Sequence, residues 1–281
     1  MKKHIDIPKL VSLIFLIFIG VLFLHPVLWI FVSAFKMDAE LYQAGGFMIL
    51  PKTWTFENFA MLLDPRNVQT PVYRWFLNSA FVSSSFAALS ILIVSMSAYA
   101  FSKLHFRGRD ILFLSLLFIS SFPGIVNIVP LYRVMLTFGW VNKPMALIFP
   151  GLAGVFSIFL VKQFMVGIPD SMIEAAKIDG AGEIRIYYKL VLPMTKPILT
   201  VIGIFAFTGN WNDFLWPSII MSDIRNLTLT AGLQLARGTY ESHISKISAI
   251  SVIAIVPMII LYCFAEKLFV RGVSISAGVK G

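Results

Sequence analysis

Charge is scarce in this chain. Only 13% of its 281 residues are Asp, Glu, Lys or Arg, against 58% hydrophobic and 14% aromatic residues. A water-soluble globule carries about 25% charged residues, so that class is excluded. Cysteine is nearly absent: Cys263 stands alone inside an apolar run, and no intrachain disulfide can form. The four histidines, His4, His25, His105 and His243, are scattered without metal-ligand spacing, so no metal site is expected. No G-x-x-x-x-G-K-S/T phosphate loop occurs, and any nucleotide-driven work needs its site on another chain. Clustered His, Cys or carboxylates at membrane depth are lacking as well, which argues against a membrane-embedded enzyme and leaves no resident cofactor to expect. No internal repeat is visible, which counts against a secondary transporter built from inverted halves.

What the chain has instead is long uncharged runs. They cover Leu10–Phe35, Trp75–Ser102, Ile111–Tyr132, Pro144–Val161, Pro197–Asn212 and Ile247–Ala265. A helical span needs about 20 apolar residues, with a range of about 17–25. The fourth run reaches 18; the fifth stops after 16 at Asp213 but continues uncharged from Phe214 to Ser222. We therefore expect an all-α integral membrane protein with six transmembrane helices, over about 10–35, 75–102, 111–133, 144–164, 198–220 and 247–267. The first run follows Lys2, Lys3 and Lys9 as a signal peptide would. It is too long for such a core and no small-residue cleavage pattern follows it, so it reads as a retained span.

Six spans place the N-terminus, the Lys103–Asp110 loop, the Lys162–Lys196 loop and the C-terminal tail on one side. That side holds 14 Lys and Arg residues and the other nine. The positive-inside rule then puts both termini in the cytoplasm and makes 36–74 and 221–246 extracytoplasmic. Pro123, Pro130, Pro150, Gly151, Gly203 and Pro257 fit either a packed bundle of bent helices or ordinary membrane-helix composition. Trp54, Trp75 and Trp140, close to span ends, read as interfacial belt residues.

One segment breaks the apolar pattern. EAAKIDGAGEIRIYYKLVLP, Glu174 to Pro193, carries three acidic and three basic residues within the cytoplasmic loop 167–197. Pro169, Asp170 and Ser171 make a helix start, and Ser171 with Glu174 fits a capping box. Met172, Ala175, Ala176 and Asp179 share a narrow face of mostly small groups. Gly180 fits the left-handed position that ends a helix. A second helix is expected from about Glu183 to Leu192, ended by Pro193 and Pro197. A helix of about eight residues is marginal alone in water. It reads either as a docking helix for another protein or as a solvated amphipathic loop.

Glu174-Ala175-Ala176, Gly180 and Leu190-Val191-Leu192-Pro193 resemble the EAA loop of ATP-binding cassette (ABC) importer permeases. Leu190 stands where that family usually has Ile. The longer EAAKIDGAGEIRIYYKLVLPMTKP, the GNWNDFLWP of Gly209–Pro217 and the closing FVRGVSISAGVKG of Phe269–Gly281 resemble the carbohydrate-uptake subfamily, closest to the smaller permease subunit of maltose-type importers. The resemblance covers essentially the whole chain. It implies a type I ABC importer permease (MetI-like) fold in a bacterial or archaeal cytoplasmic membrane. It also implies a transport subunit without enzymatic activity, one that moves a sugar, oligosaccharide or related polyol. The implied partners are a second homologous permease, a dimeric ABC ATPase that carries ATP and Mg, and an extracytoplasmic solute-binding protein. Glu174, Ala175, Ala176, Asp179 and Gly180 would then form the ATPase contact. A self-contained secondary transporter or channel is the competing reading.

Asp213 is the one charge well inside an expected span, about 22 Å from Ile198 at the helical rise of about 1.5 Å per residue. Intramembrane carboxylates mark functional positions. With Asn210 and Asn212 beside it, and Trp211 and Trp216 as flat apolar faces, it could meet a hydroxyl-rich ligand; the alternative is that it caps a bent helix near the interface, with the tryptophans as belt anchors. The external segment AGLQLARGTY, Ala231–Tyr240, corresponds in the family to the loop that meets the binding protein. Gly232, Gln234 and Gly238 are its candidate contacts, the glycines making it flexible; the alternative is a solvated connector.

Overall fold

A computed structural model describes residues 7–42, 50–240 and 243–278, with side chains from 8 to 264 within those ranges. The closing Phe269–Gly281 motif therefore lies, in its side chains, outside the described residues. Among the described residues every regular element is helical. The chain opens with α1 (Ile7–Ser33), the short α2 (Asp38–Leu41) and α3 (Glu57–Leu62), and the long α4 (Val72–Lys103). Next come α5 (Arg109–Ser120), a 3-10 turn at Gly124–Asn127, α6 (Ile128–Thr137), α7 (Met145–Ile148) and α8 (Val155–Val166). The charged segment supplies α9 (Asp170–Ile178), α10 (Glu183–Ile186), a π-helical turn at Tyr187–Val191 and α11 (Leu192–Met194). The remainder is α12 (Lys196–Asn212), α13 (Leu215–Ile220), a 3-10 turn at Ile224–Asn226, α14 (Leu229–Thr239) and α15 (Ile244–Gly278).

Three helices, Pro8–Ser33, Val72–Lys103 and Ile244–Phe264, are each long and apolar enough to cross a membrane. Three further candidates are bent pairs: α5 with 124–137 at 90°, α8 with α9 at 74°, and 183–194 with α12 at 80°. Among the described residues, length and composition thus give three possible spans, or up to six if each pair is one. The third apolar run is not one straight helix, because Pro123 denies the backbone a donor and the chain turns there. The fourth run is interrupted between Ile148 and Val155, where Pro150 and Gly151 fall. The fifth breaks at Asp213 before Pro217.

The chain forms two compact units, Met1–Tyr73 with Leu233–Val256, and Arg74–Gly232 with Pro257–Gly281. In the first, Phe35 gathers Phe31, Trp54, Phe56 and Phe59 at ring-centroid distances of 5.0–5.6 Å. Asn58 donates to the carbonyls of Ala34 and Lys36, and accepts from the Ser245 hydroxyl. Asp38 is met by the Ser245 N–H at 3.0 Å and by His243 Nδ1 at 2.6 Å. Burial raises the Asp38 pKa, but these bonds outweigh it and hold the carboxyl below its ordinary value.

The second unit has an apolar core in which Val94 and Ala98 of α4, Val161 and Met165 of α8, Ile186 and Ile202 are almost wholly buried. Trp75 is also fully buried, so it is not the interfacial residue its position near a span end suggested. Its ring packs under Gly232, where a Cβ atom would overlap the indole, and its Nε1 donates to the Ile224 carbonyl at 2.6 Å.

Candidate functional site

The segment 170–194 is anchored inward and exposed outward. Ile173 of α9 is buried and Ala176 half-buried against the core, whereas Glu174, Ala175 and Asp179 are exposed. Ala176 therefore belongs partly to the inward face, and the exposed small-residue face is narrower than the sequence pattern implies. The helix starts at Asp170, one residue after its cap Pro169, and no side chain caps it. The Ser171–Glu174 capping box is absent because Ser171 already lies in the first turn. The first turn is secured by tertiary contacts instead: Lys103 Nζ donates to Asp170 Oδ1 at 2.6 Å and to the Ile168 carbonyl at 2.7 Å. This bond and charge hold the Asp170 carboxyl below its ordinary value.

The end of α9 follows the expected chemistry. Gly180 has φ 78°, and its N–H donates to Lys177 O while Ala181 N–H donates to Ala176 O. Those two bonds are the Schellman pair, which satisfies the last carbonyls and needs a residue free of Cβ strain. Beyond the turn, Glu183 Oε1 pairs with Lys177 Nζ at 2.6 Å, and Glu183 Oε2 accepts from the Tyr99 hydroxyl at 2.7 Å. Lys177 first, then Tyr99, keeps the Glu183 carboxyl below its ordinary value. The second helix does not stop at Leu192. Its backbone winds through the π turn and Pro193 to Met194, and the break falls at Thr195. Two residues escaped the sequence reading: Ile178 is 86% exposed and Ile184 77% exposed, on either side of the glycine turn. Their apolar type beside a hydrophilic turn was the available signal.

The second candidate set divides. Trp211 is buried, stacked on Phe207 and set edge-on to Phe76, so it is a packing residue rather than one that faces an open path. Asn210 accepts from Ser83 at 2.9 Å and donates to the Leu147 carbonyl at 3.2 Å. Asp213 ends α12, and its carboxylate accepts from the Leu215 N–H at 3.1 Å and more weakly from Trp216. This is the capping geometry of a broken helix. Asn210, Asn212 and Asp213 nonetheless line one open cavity of 600 Å³, together with Phe86, Phe205 and Trp216. Trp216, whose Nε1 donates to the Ala146 carbonyl, does line this cavity, whereas its companion Trp211 does not.

The third set is helical, which corrects the expectation of a flexible loop. Gly232 lies within α14 and is buried by Trp75; Gln234 and Gly238 are exposed on the same helix. Tyr240, just past its end, bonds Thr70 at 2.8 Å. The glycine is small because another side chain needs the room, not because the backbone must move.

Residues 91–274 match the family described as binding-protein-dependent transport system inner membrane component. The chain is 32% identical over 265 residues to the arabinooligosaccharides transport system permease protein AraQ of Halalkalibacterium halodurans, covering 94% of each protein. It is also 32% identical to the diacetylchitobiose uptake system permease protein NgcG of Streptomyces coelicolor, over 92% of this chain and 85% of that one. A crystal structure of a bacterial ABC transporter that imports the acidic polysaccharide alginate contains a chain of the same fold. It has a TM-score of 0.82 at 22% identity, covering 95% of this chain and 99% of the other. This chain belongs to the family of inner-membrane components of binding-protein-dependent transport systems.

Proposed function

We propose that the protein is the carbohydrate-translocating permease subunit of an ATP-driven ABC importer. It has no nucleotide site of its own, and ATP with Mg is bound by a partner ATPase. A second permease completes the pathway, and an extracytoplasmic binding protein delivers the sugar. In this reading six spans cross the membrane with both termini cytoplasmic; α8 and α12 belong to crossings while 167–197 forms the cytoplasmic coupling loop, and 36–74 and 221–246 lie outside. Glu174, Ala175, Asp179 and Gly180, with Ala176 behind them, meet the ATPase. Asn210, Asn212 and Asp213 border the sugar path, and Gln234 and Gly238 face the binding protein. The observation that carries this reading is the exposed α9 edge at the Schellman turn, on a chain whose relatives named above are oligosaccharide permeases.

Reconstitution with the neighbouring permease, ATPase and binding protein tests it. Hydrolysis of ATP should rise on adding one of arabino-oligosaccharide, galacto-oligosaccharide or diacetylchitobiose. Flux without any ATPase would refute it. A sharper test is Gly180→Trp. A Cβ there meets nothing within 4 Å inside this chain, so beyond a backbone strain of about 1–2 kcal/mol the damage should come from the docked partner. Stimulated hydrolysis should be abolished with the permease still folded.

A further inference from the structure

Helix α4 is bonded from end to end. Near its start, Trp75 Nε1 donates to Ile224 O at 2.6 Å, and Asn78 Nδ2 donates to Arg225 O at 2.8 Å and Leu227 O at 3.0 Å. Ser79 Oγ accepts from the Leu229 N–H at 2.7 Å. All of these hold residues 224–229, which lead straight into α14. Near its other end, Ser95 shares a 2.7 Å bond with the Tyr187 hydroxyl, Tyr99 donates to Glu183, and Lys103 donates to Ile168 O and Asp170. Ser95, Tyr99 and Lys103 recur at every fourth position, so they form one stripe on the helix. That stripe holds the EAA segment before α9, after the glycine turn and in the π turn. Midway, Ser83 bonds Asn210 and Ser90 donates to Leu152 O.

We propose that α4 is the rigid strut through which residues 224–229, outside, and the EAA loop, inside, sense each other. Asn78, Tyr99 and Lys103 act as its positioning residues. The inference rests on the proposed roles of the EAA loop and of the α14 region. Its physical basis is stiffness and grip. The 32 residues of α4 contain neither Gly nor Pro and extend unbroken, about 48 Å at the helical rise, while the apolar stretches that follow bend by 74–90°. The Lys103 side chain is only 4% exposed, and a buried charge stripped of its partners is strongly destabilising. The first turn of α9 must therefore move with the end of α4. Trp75 Nε1, on a fully buried ring, imposes the same condition at the other end. A bonded rigid element between two sites is a physical carrier of coupling.

The test uses the complete reconstituted importer, with a mixture of arabino-oligosaccharides, galacto-oligosaccharides and diacetylchitobiose as probe. Asn78→Ala removes two of the four bonds of the outer grip. Tyr99→Phe removes only the inner hydroxyl and keeps the ring against Tyr187. Each should lower the binding-protein stimulation of ATP hydrolysis at least about fivefold, the low end of ordinary site-to-site coupling, while basal hydrolysis and ATPase co-purification stay unchanged. The double variant should lose less than the two single losses multiplied, since both weaken one strut. Multiplying effects, or full stimulation in both singles, would overturn the proposal. Gly180→Trp separates the two readings. If it abolishes stimulation while the paired variants do not, the strut alone falls. If it too leaves stimulation intact, the docking assignment is wrong and the strut falls with it.

Discussion

Helices α1 and α4 are both long and apolar, yet they live in opposite surroundings. In the most apolar 18-residue window of α1 no residue is buried, whereas in that of α4 39% are. The difference is in side-chain type. The stretch Leu10–Phe31 is almost unrelieved Leu, Ile, Val and Phe, which serve as well against lipid as against protein. Serines interrupt α4 at 79, 83, 84, 85, 90, 95, 97 and 102. Small and hydroxyl-bearing residues let membrane helices approach and bond across, and Ser79, Ser83, Ser90 and Ser95 each bond another part of the second unit. Apolarity therefore identifies a span, while the interruptions in it identify what packs inside.

The largest expected break in that contrast is at Gly232. Gly232→Ala drives a Cβ into the buried Trp75 ring beside α4 and should cost about 3 kcal/mol, the upper range of overpacking. Gly20→Ala in α1, where nothing lies within 4 Å, should leave thermal stability of the isolated chain in detergent unchanged. Equal loss in both would show that burial does not distinguish the helices.

Lys103→Ala ranks next. It removes a buried stem and the donor that satisfies Ile168 O, at a cost of about 2 kcal/mol. Lys103→Met should recover much of it, because a hydrophobic replacement of similar volume tolerates the buried site. A methionine no better than alanine would place the value of Lys103 in its charge rather than its packing.

Acid gives the smallest effect. The folded pKa of Glu183 is depressed below its ordinary 4.5, so its clasp on Lys177 and Tyr99 is fully present above that value. It is lost as pH falls through the depressed pKa. Thermal scans should show Glu183→Gln less stable than the parent at pH 6, with the gap closing below about pH 4.5. A gap independent of pH would mean the carboxylate charge is not what holds the clasp. The stretch Ile7–Ser33 contains no carboxylate, so α1 contributes nothing to this titration.

Much of the charged segment was legible beforehand. Gly180 reads as a left-handed helix end from its type and spacing alone, because that conformation penalises any Cβ regardless of the rest of the fold. The start of the same helix was not legible. Ser171 and Glu174 have capping-box spacing, but the buried Lys103 holds Asp170 and Ile168, and that contact crosses more than 60 residues of sequence. Gly232 was misread for a related reason. Glycine serves a flexible backbone and a crowded neighbour equally well, and only the position of Trp75 separates the two.

By itself the sequence determined the membrane class, the helical content, the approximate apolar stretches and the charged segment among them. Those follow from composition and periodicity, which act residue by residue. Tertiary structure alone decided that Trp75 and Trp211 are core, that Asp213 caps a helix while bordering a cavity, and that the two ends of α4 grip the EAA segment and residues 224–229. These are pairings between residues far apart in the chain. Their energy depends on which groups meet and how far water is excluded from them, and no local pattern encodes that.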